Sequence, residues 1–389
     1  MPAAALTPPA LPDVVEEHLE ELGFLAIQRR KLLVDPDTSL ARLAEHDERA
    51  AAHRDGLAIA GRAAGDVARR RLDEVALDWH AAAAARIWVE EGAPAPGDVY
   101  ERIEAGGDDL LAGWREAFRR TTPAHAERIF PRGAPEPPGP LARRVRADAR
   151  VWQGRASEGE LARLAADADV AVRRCVARGL ARSAASGSAA VRTSAERLAD
   201  DESADVRRRA LWSLALVDRA AGVTRARRLA AGPDPFALRV LGLLGDASDV
   251  PRLRRAADPA ALRALGDLGR VEELDFLRER LDSSDPALVA AAADAILVIV
   301  GFPKDKPATL VADPEVARAR CDEMRGRLAA DRVWLRGRPF PHTGPPLQEF
   351  TESRWRTLVA AAPSPEPHRA EVPDGFFPGI PEEEALCGE

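Results

Sequence analysis

Apolar positions along this chain recur mostly every three or four residues, the period of a helix with one buried face. Val14, Val15, Leu19, Leu22, Phe24, Leu25 and Ile27 set out the first such run and predict a helix of about five turns. A second run follows DPDTS, with Ser39 placed to accept a backbone N–H as N-cap, and carries Leu40, Leu43, Ala50, Leu57 and Ala60. The short join between the two predicts an antiparallel hairpin. Further helical runs cover 65–77, 78–90, 98–105 and 108–120, the last with Leu110, Leu111, Trp114 and Phe118 on one stripe. At 131–140 the segment PRGAPEPPGP holds too many prolines to continue a helix, so a linker or long interhelical loop is expected there.

Self-similarity follows. DADVAVRRCVARGL at 167–180 aligns without gaps to DESADVRRRALWSL at 201–214, matching Val172 with Val206, Arg173 with Arg207 and Leu180 with Leu214. ALRVLGLLG at 237–245 aligns to ALRALGDLG at 261–269, and the same offset pairs Val250 with Leu274, Leu253 with Leu277 and Asp258 with Asp282. Such recurrence is the mark of stacked helical units, each burying its apolar stripe only against its neighbours. Val172, Val176 and Leu180 form one stripe, and the Asp-rich turn before them suits a helix start. Glycines at 242, 245, 266 and 269 permit close helix approach and chain reversal. DSSDPALVAAAADAILVIVG reads as the last well-formed unit, with Pro286 in a first helical turn. Val316 to Leu335 reads as one more amphipathic helix, and the stretch from Pro363 is rich in proline and glutamate. The division expected is an arm at 1–12, an N-terminal helical region at 13–130, the Pro-rich segment at 131–140, repeats at 141–302, a C-terminal helical region at 303–362 and a tail at 363–389.

Composition narrows the picture. Aromatic residues make up 5% and Tyr100 is the one tyrosine, so the cores must be built from Ala, Leu and Val. The net charge of -7 is unevenly spread: Lys+Arg against Asp+Glu is 17 to 25 over residues 1–141, 27 to 21 over 142–282 and 12 to 17 beyond. Cys175, Cys321 and Cys387 lie far apart without a CxxC pair, which indicates neither a disulfide framework nor a structural zinc site. MPAAALTPPALPD lacks the basic start and apolar helix of a signal peptide, and AAADAILVIV at 291–300 is too short to span a bilayer. A cytoplasmic protein without membrane contact is expected.

The D-x-x-x-x-V-R-x-x-A/V-x-x-x-L rhythm resembles HEAT repeats of the short, bacterial, PBS-lyase-like kind. HLEELGFLAIQRR at 18–30, followed by LARLAEHDERAAAHRDGLAIAG at 40–61, resembles the opening of a proteobacterial family of HEAT-repeat proteins of unknown function. The likeness runs to about Leu335, with GDVYERIEAG at 97–106 in a matching place. Members of that family occur in several copies in myxobacteria and are often encoded beside type VI secretion genes. The resemblance implies an all-α, HEAT-like solenoid with an N-terminal helical hairpin. It also implies a partner protein, a secreted toxin or effector, which the chain would hold inactive as an immunity protein or help to load. The proline-rich end departs from the family's helical ending.

Candidate chemistry is sparse. His46 and His53 share a helix face, with Asp47, Glu48 and Asp55 nearby and His18 on the neighbouring helix, but the i, i+4 pair typical of a zinc site is missing. Polar contacts across the hairpin account for them better. Glu16/Glu17, Glu20/Glu21 and Asp108/Asp109 read as solvated faces, and no GxSxG, P-loop, GxGxxG or kinase signature occurs. The expectation is therefore a protein without cofactor, metal or catalytic residues. The arginines are the stronger signal: Arg173, Arg174 and Arg178, then Arg207, Arg208 and Arg209, then Arg252 and Arg255. Stacked units could align them into a partner-binding surface, and the alternative is a phosphate-binding stripe for nucleic acid. Because repeat helices commonly pair an Arg with the Asp of an adjacent turn, and 21 acids accompany the 27 bases, a protein-binding scaffold is the preferred expectation.

Overall fold

The computed structural model describes residues 11–34, 40–74, 78–183, 189–232, 234–301, 313–328, 333–335 and 338–340. The arm before Leu11, the Ser39 cap, most of the C-terminal region, the Pro/Glu-rich tail and Cys387 lie outside them. Among the described residues the fold is all-α apart from one short hairpin of β1 (Val333–Leu335) and β2 (Arg338–Phe340), paired antiparallel. No described helix is long and apolar enough to cross a membrane.

The chain divides into two compact units, the first including Ser39–Ser183 and the second Ala184–Val372. In the first unit lie α1 (Pro12–Val34), α2 (Leu40–Ala60), α3 (Arg62–Glu74), α4 (Asp78–Glu91), α5 (Pro96–Arg120), α6 (Pro123–Ile129), α7 (Pro140–Trp152), α8 (Glu158–Leu164) and α9 (Val170–Ser183). The expected hairpin is present: His18 meets His53 and Arg29 meets Asp47, so α1 and α2 run antiparallel. The α1 stripe is narrower than the sequence pattern, since Val15, Leu19, Leu22 and Leu25 are buried while Val14 and Phe24 are exposed. Helix α5 breaks at Gly107, whose φ of 64° only glycine takes without strain, which matches the two helical runs expected there. Successive packing of α3 on α4, α4 on α5, α5 on α7 and α7 on α9 builds a core around Trp114, Phe118, Phe130, Ile87 and Ile103. The Pro-rich 131–139 is a loop inside this unit, pinned where Arg146 Nη1 donates to Pro135 O at 2.8 Å and Arg150 Nη1 to Phe130 O at 3.2 Å.

The second unit holds α10 (Ala189–Leu198), α11 (Ala204–Val217), α12 (Arg219–Leu229), α13 (Pro235–Leu244), α14 (Val250–Ala256), α15 (Pro259–Leu268), α16 (Leu274–Arg280), α17 (Pro286–Val300) and α18 (Pro314–Met324). Helices α11, α13, α15 and α17 pack side by side in sequence order, while α12, α14 and α16 return the chain against this row. Five of these nine helices start with the same cap: Asp218, Asp234, Asp258, Asp285 and Asp313 each accept an N–H from the first turn of the following helix. Gly242 and Gly266, 24 residues apart, do equivalent work. A Cβ on Gly242 would lie 2.6 Å from Ala264 Cα, and one on Gly266 would lie 2.5 Å from Ala295 Cα. The helix expected over 316–335 ends instead at Met324, because a turn with Gly326 follows, and residues 333–335 are extended.

Candidate functional site

The sequence-derived arginines come first. Arg173 is buried, and its Nη1 donates to Asp167 O at 2.9 Å and Ala168 O at 3.1 Å. Arg207, its partner in the repeat alignment, makes the same contacts with Asp201 O at 2.7 Å and Glu202 O at 2.8 Å. Both guanidiniums therefore satisfy carbonyls of the preceding turn. Arg178 is buried, Arg209 pairs with Asp205 at 3.0 Å and Arg252 with Asp249 at 3.2 Å. Arg174 is exposed and Arg208 half-buried, and neither is without an interaction. Arg255 is exposed. Three of the eight lie in the first unit and five in the second.

Other arginines of the second unit tie neighbouring turns together. Arg227 of α12 reaches Asp249 at 2.8 Å and Arg254 of α14 reaches Glu273 at 2.7 Å, both acids being buried and 24 residues apart. Along the packed row, Arg239 pairs with Asp267 at 2.9 Å and Arg263 with Asp294 at 3.4 Å. Burial pushes the Asp294 carboxyl above its ordinary value, with Arg263 offsetting only part of the effect.

The histidines separate. His18 and His53 share a hydrogen bond at 2.9 Å between their Nδ1 atoms, whereas His46 lies beside Asp47, its Nδ1 3.6 Å from Oδ1. Among the described residues no group of three or more His, Cys, Asp or Glu side chains is placed to hold a metal ion. Glu20 pairs with Arg71 and Asp108 with Arg144, both acids exposed.

His46 opens onto a cleft of about 790 Å³ in the first unit. Its walls come from α1, α2, α4, α5, the start of α6 and the end of α7 and carry Arg29, Arg54, Arg86, Arg119 and Arg120 against Asp47, Glu48 and Glu116. Leu22, Leu25, Pro123 and Trp152 supply apolar surface. Most of these cations are anchored from one side. Arg29 makes two hydrogen bonds to Asp47, at 2.7 and 3.1 Å, and Arg119 makes two to Asp148, at 2.6 and 2.7 Å, while lying 4.6 Å from the centre of the Trp152 ring. Arg86 Nε donates to Glu90 at 3.2 Å, and Arg120 Nε donates to Glu116.

Burial drives the Glu116 carboxyl upward, but Arg120 and Arg119 outweigh it and hold the group at about 2. Asp148, buried between Arg115 and Arg119, is held well below the carboxylate range by those cations against the same burial. Burial lowers the Arg86 guanidinium, Glu90 opposes this, and Arg120 and Arg54 lower it further by repulsion. Cys175 is buried with its thiol pushed up by desolvation, so it is a packing group with no thiolate character.

This network escaped the sequence reading because its members sit on different helices. Only Arg86/Glu90, Glu116/Arg119 and Glu116/Arg120, three or four apart, stand at pair spacing along one helix. What fold and cleft define is an all-α protein of successive helix pairs with an arginine-lined cavity in its first unit. In comparisons with known proteins, no protein-family model and no curated protein matches the chain.

Proposed function

We propose that this chain is a non-catalytic protein-binding scaffold built from HEAT-like helical repeats. The observation that carries the reading is the recurrence of one set of contacts along α13, α15 and α17 and the helices that return between them. Gly242 and Gly266 bring successive helices together, Arg239 and Arg263 pair with the next helix, and Asp249 and Glu273 anchor arginines of the helix before. Units stacked in this way present long faces made of many helices, which suits the recognition of another macromolecule. The nucleic-acid alternative ranks lower because Arg173, Arg207, Arg209 and Arg252 are engaged within the chain. The finer reading is a cytoplasmic type VI secretion immunity or effector-accessory protein. It is supported by the resemblance of the 18–61 hairpin and by the acidic composition of residues 1–141 and 283–389, which would steer a basic partner domain.

Affinity capture of the full chain from its host, followed by mass spectrometry, should return one protein partner in stoichiometric yield. Recovery of no such partner would refute the scaffold reading. For the finer reading, co-expression should protect a sensitive cell from the captured effector, or deletion of the gene should abolish that effector's secretion; failure of both would refute it. Titration of duplex DNA at physiological salt should show no binding.

A further inference from the structure

We propose that the cleft lined by α2, α4 and α5 in the first unit binds a phosphate group, free or as a phosphomonoester. This inference does not depend on the scaffold reading. The first observation is His46, 6% exposed, with neither ring nitrogen hydrogen-bonded. Its Nδ1 lies 3.6 Å from Asp47 Oδ1, a long contact with a carboxylate that also accepts two hydrogen bonds from Arg29. An imidazole buried without a hydrogen bond loses the water bonds it had in the unfolded chain, which a bound acceptor would restore.

The second observation is the state of the arginines. Arg86 and Arg120 are each held by Nε alone, through Glu90 and Glu116, and among the described residues their terminal Nη groups take no hydrogen bond. Anchoring one edge of a guanidinium aims the other. Arg120 and Arg54 stand close enough to Arg86 to lower its guanidinium by repulsion, and all three line the cleft, Arg54 anchored by Asp55 at 2.9 Å. Such an arrangement is relieved by an anion.

The choice of phosphate follows from geometry and charge. The donors stand on three helices, His46 and Arg54 on α2, Arg86 on α4 and Arg120 on α5. A planar carboxylate presents two oxygens in one plane, whereas the oxygens of a tetrahedral phosphate diverge and can meet donors from three sides. The lining carries five arginines against three carboxylates, so positive charge prevails among the groups that face the cleft. Glu90 and Asp148 stand behind Arg86 and Arg119, outside the lining. Trp152, Leu22 and Leu25 offer an apolar wall on which the organic part of a phosphomonoester could rest.

Isothermal titration of the full chain in chloride buffer with inorganic phosphate, phenyl phosphate and acetate tests the proposal. Phosphate or phenyl phosphate should bind and acetate should not. Arg120→Gln should weaken binding about tenfold or more, whereas Arg70→Gln, an exposed position on α3, should not change it. Arg86→Met combined with Glu90→Gln, which leaves no buried carboxylate unpaired, should act like Arg120→Gln if circular dichroism shows the variant folded. Imidazole resonances of His46, assigned with His46→Gln, should shift on adding phosphate. Tighter binding of phenyl phosphate identifies a phosphomonoester, and equal binding identifies free phosphate. Absence of binding by both, equal loss in Arg70→Gln, or unmoved His46 resonances would overturn the proposal.

Discussion

Asp148 illustrates how much of this protein's chemistry is decided by single buried ions. The residue is 2% exposed and accepts from both Arg115 and Arg119. Removing it takes away the buried carboxylate that both guanidiniums share, so Asp148→Ala should cost about 3–5 kcal/mol in denaturant unfolding. Glu116 and Asp148 both have their carboxyls depressed in the folded state. The stability they contribute is therefore complete above the ordinary carboxylate range and is lost as pH falls through it, toward about 2 in the case of Glu116. Glu116→Gln should flatten the acid limb of a stability–pH curve between about 4.3 and 2. Asp294 has the opposite sign, since its raised carboxyl makes the folded state hold its proton more tightly. Any contribution against folding grows as pH rises through that range, and Asp294→Asn should leave stability at neutral pH unchanged or higher, as measured by thermal unfolding.

At the scale of elements, the glycines divide into those that a neighbour requires and those that none does. Gly242 and Gly266 lie against the backbone of Ala264 and Ala295, so a methyl group forces α13 from α15 or α15 from α17. Gly242→Ala and Gly266→Ala should each destabilise by about 1–3 kcal/mol. Gly159 in α8 has open space around its Cβ position, and Gly159→Ala should be neutral or stabilise by about 0.4–1 kcal/mol through the unfolded chain. Urea denaturation of the three variants checks the contrast. The 24-residue alignment already marked Gly242 and Gly266 as equivalent, but their neighbours could not be read from it. Element limits were less legible: the helix expected to reach Leu335 stops at Met324, because apolar spacing continued past a turn that Gly326 allows.

For the whole molecule, the Ala/Leu/Val composition implied thin helices packed closely; the second unit has such a core, whereas the first gathers Trp88, Trp114, Phe118 and Phe130 at its centre. Leu265 is fully buried in the row of α13, α15 and α17. Leu265→Ala should cost about 2–5 kcal/mol and raise amide hydrogen exchange in those three helices. A far-ultraviolet circular dichroism spectrum of the full chain should be dominated by helix, and one dominated by strand would contradict the fold.

The sequence by itself determined the helical class, the hairpin of α1 and α2, the Asp-started turns and the equivalence of Arg173 with Arg207. These are local or periodic properties, and a period of three to four residues or a fixed repeat is written along the chain whether or not it is folded. Tertiary structure decided what each charge does. It turned Arg173 and Arg207 onto their own turns, set His53 against His18 and His46 beside Asp47, and gathered His46, Arg54, Arg86 and Arg120 from three helices around one cleft. Those residues are up to 74 positions apart, and a guanidinium's partner is set by which helix faces it in space, a property that no spacing along one helix encodes.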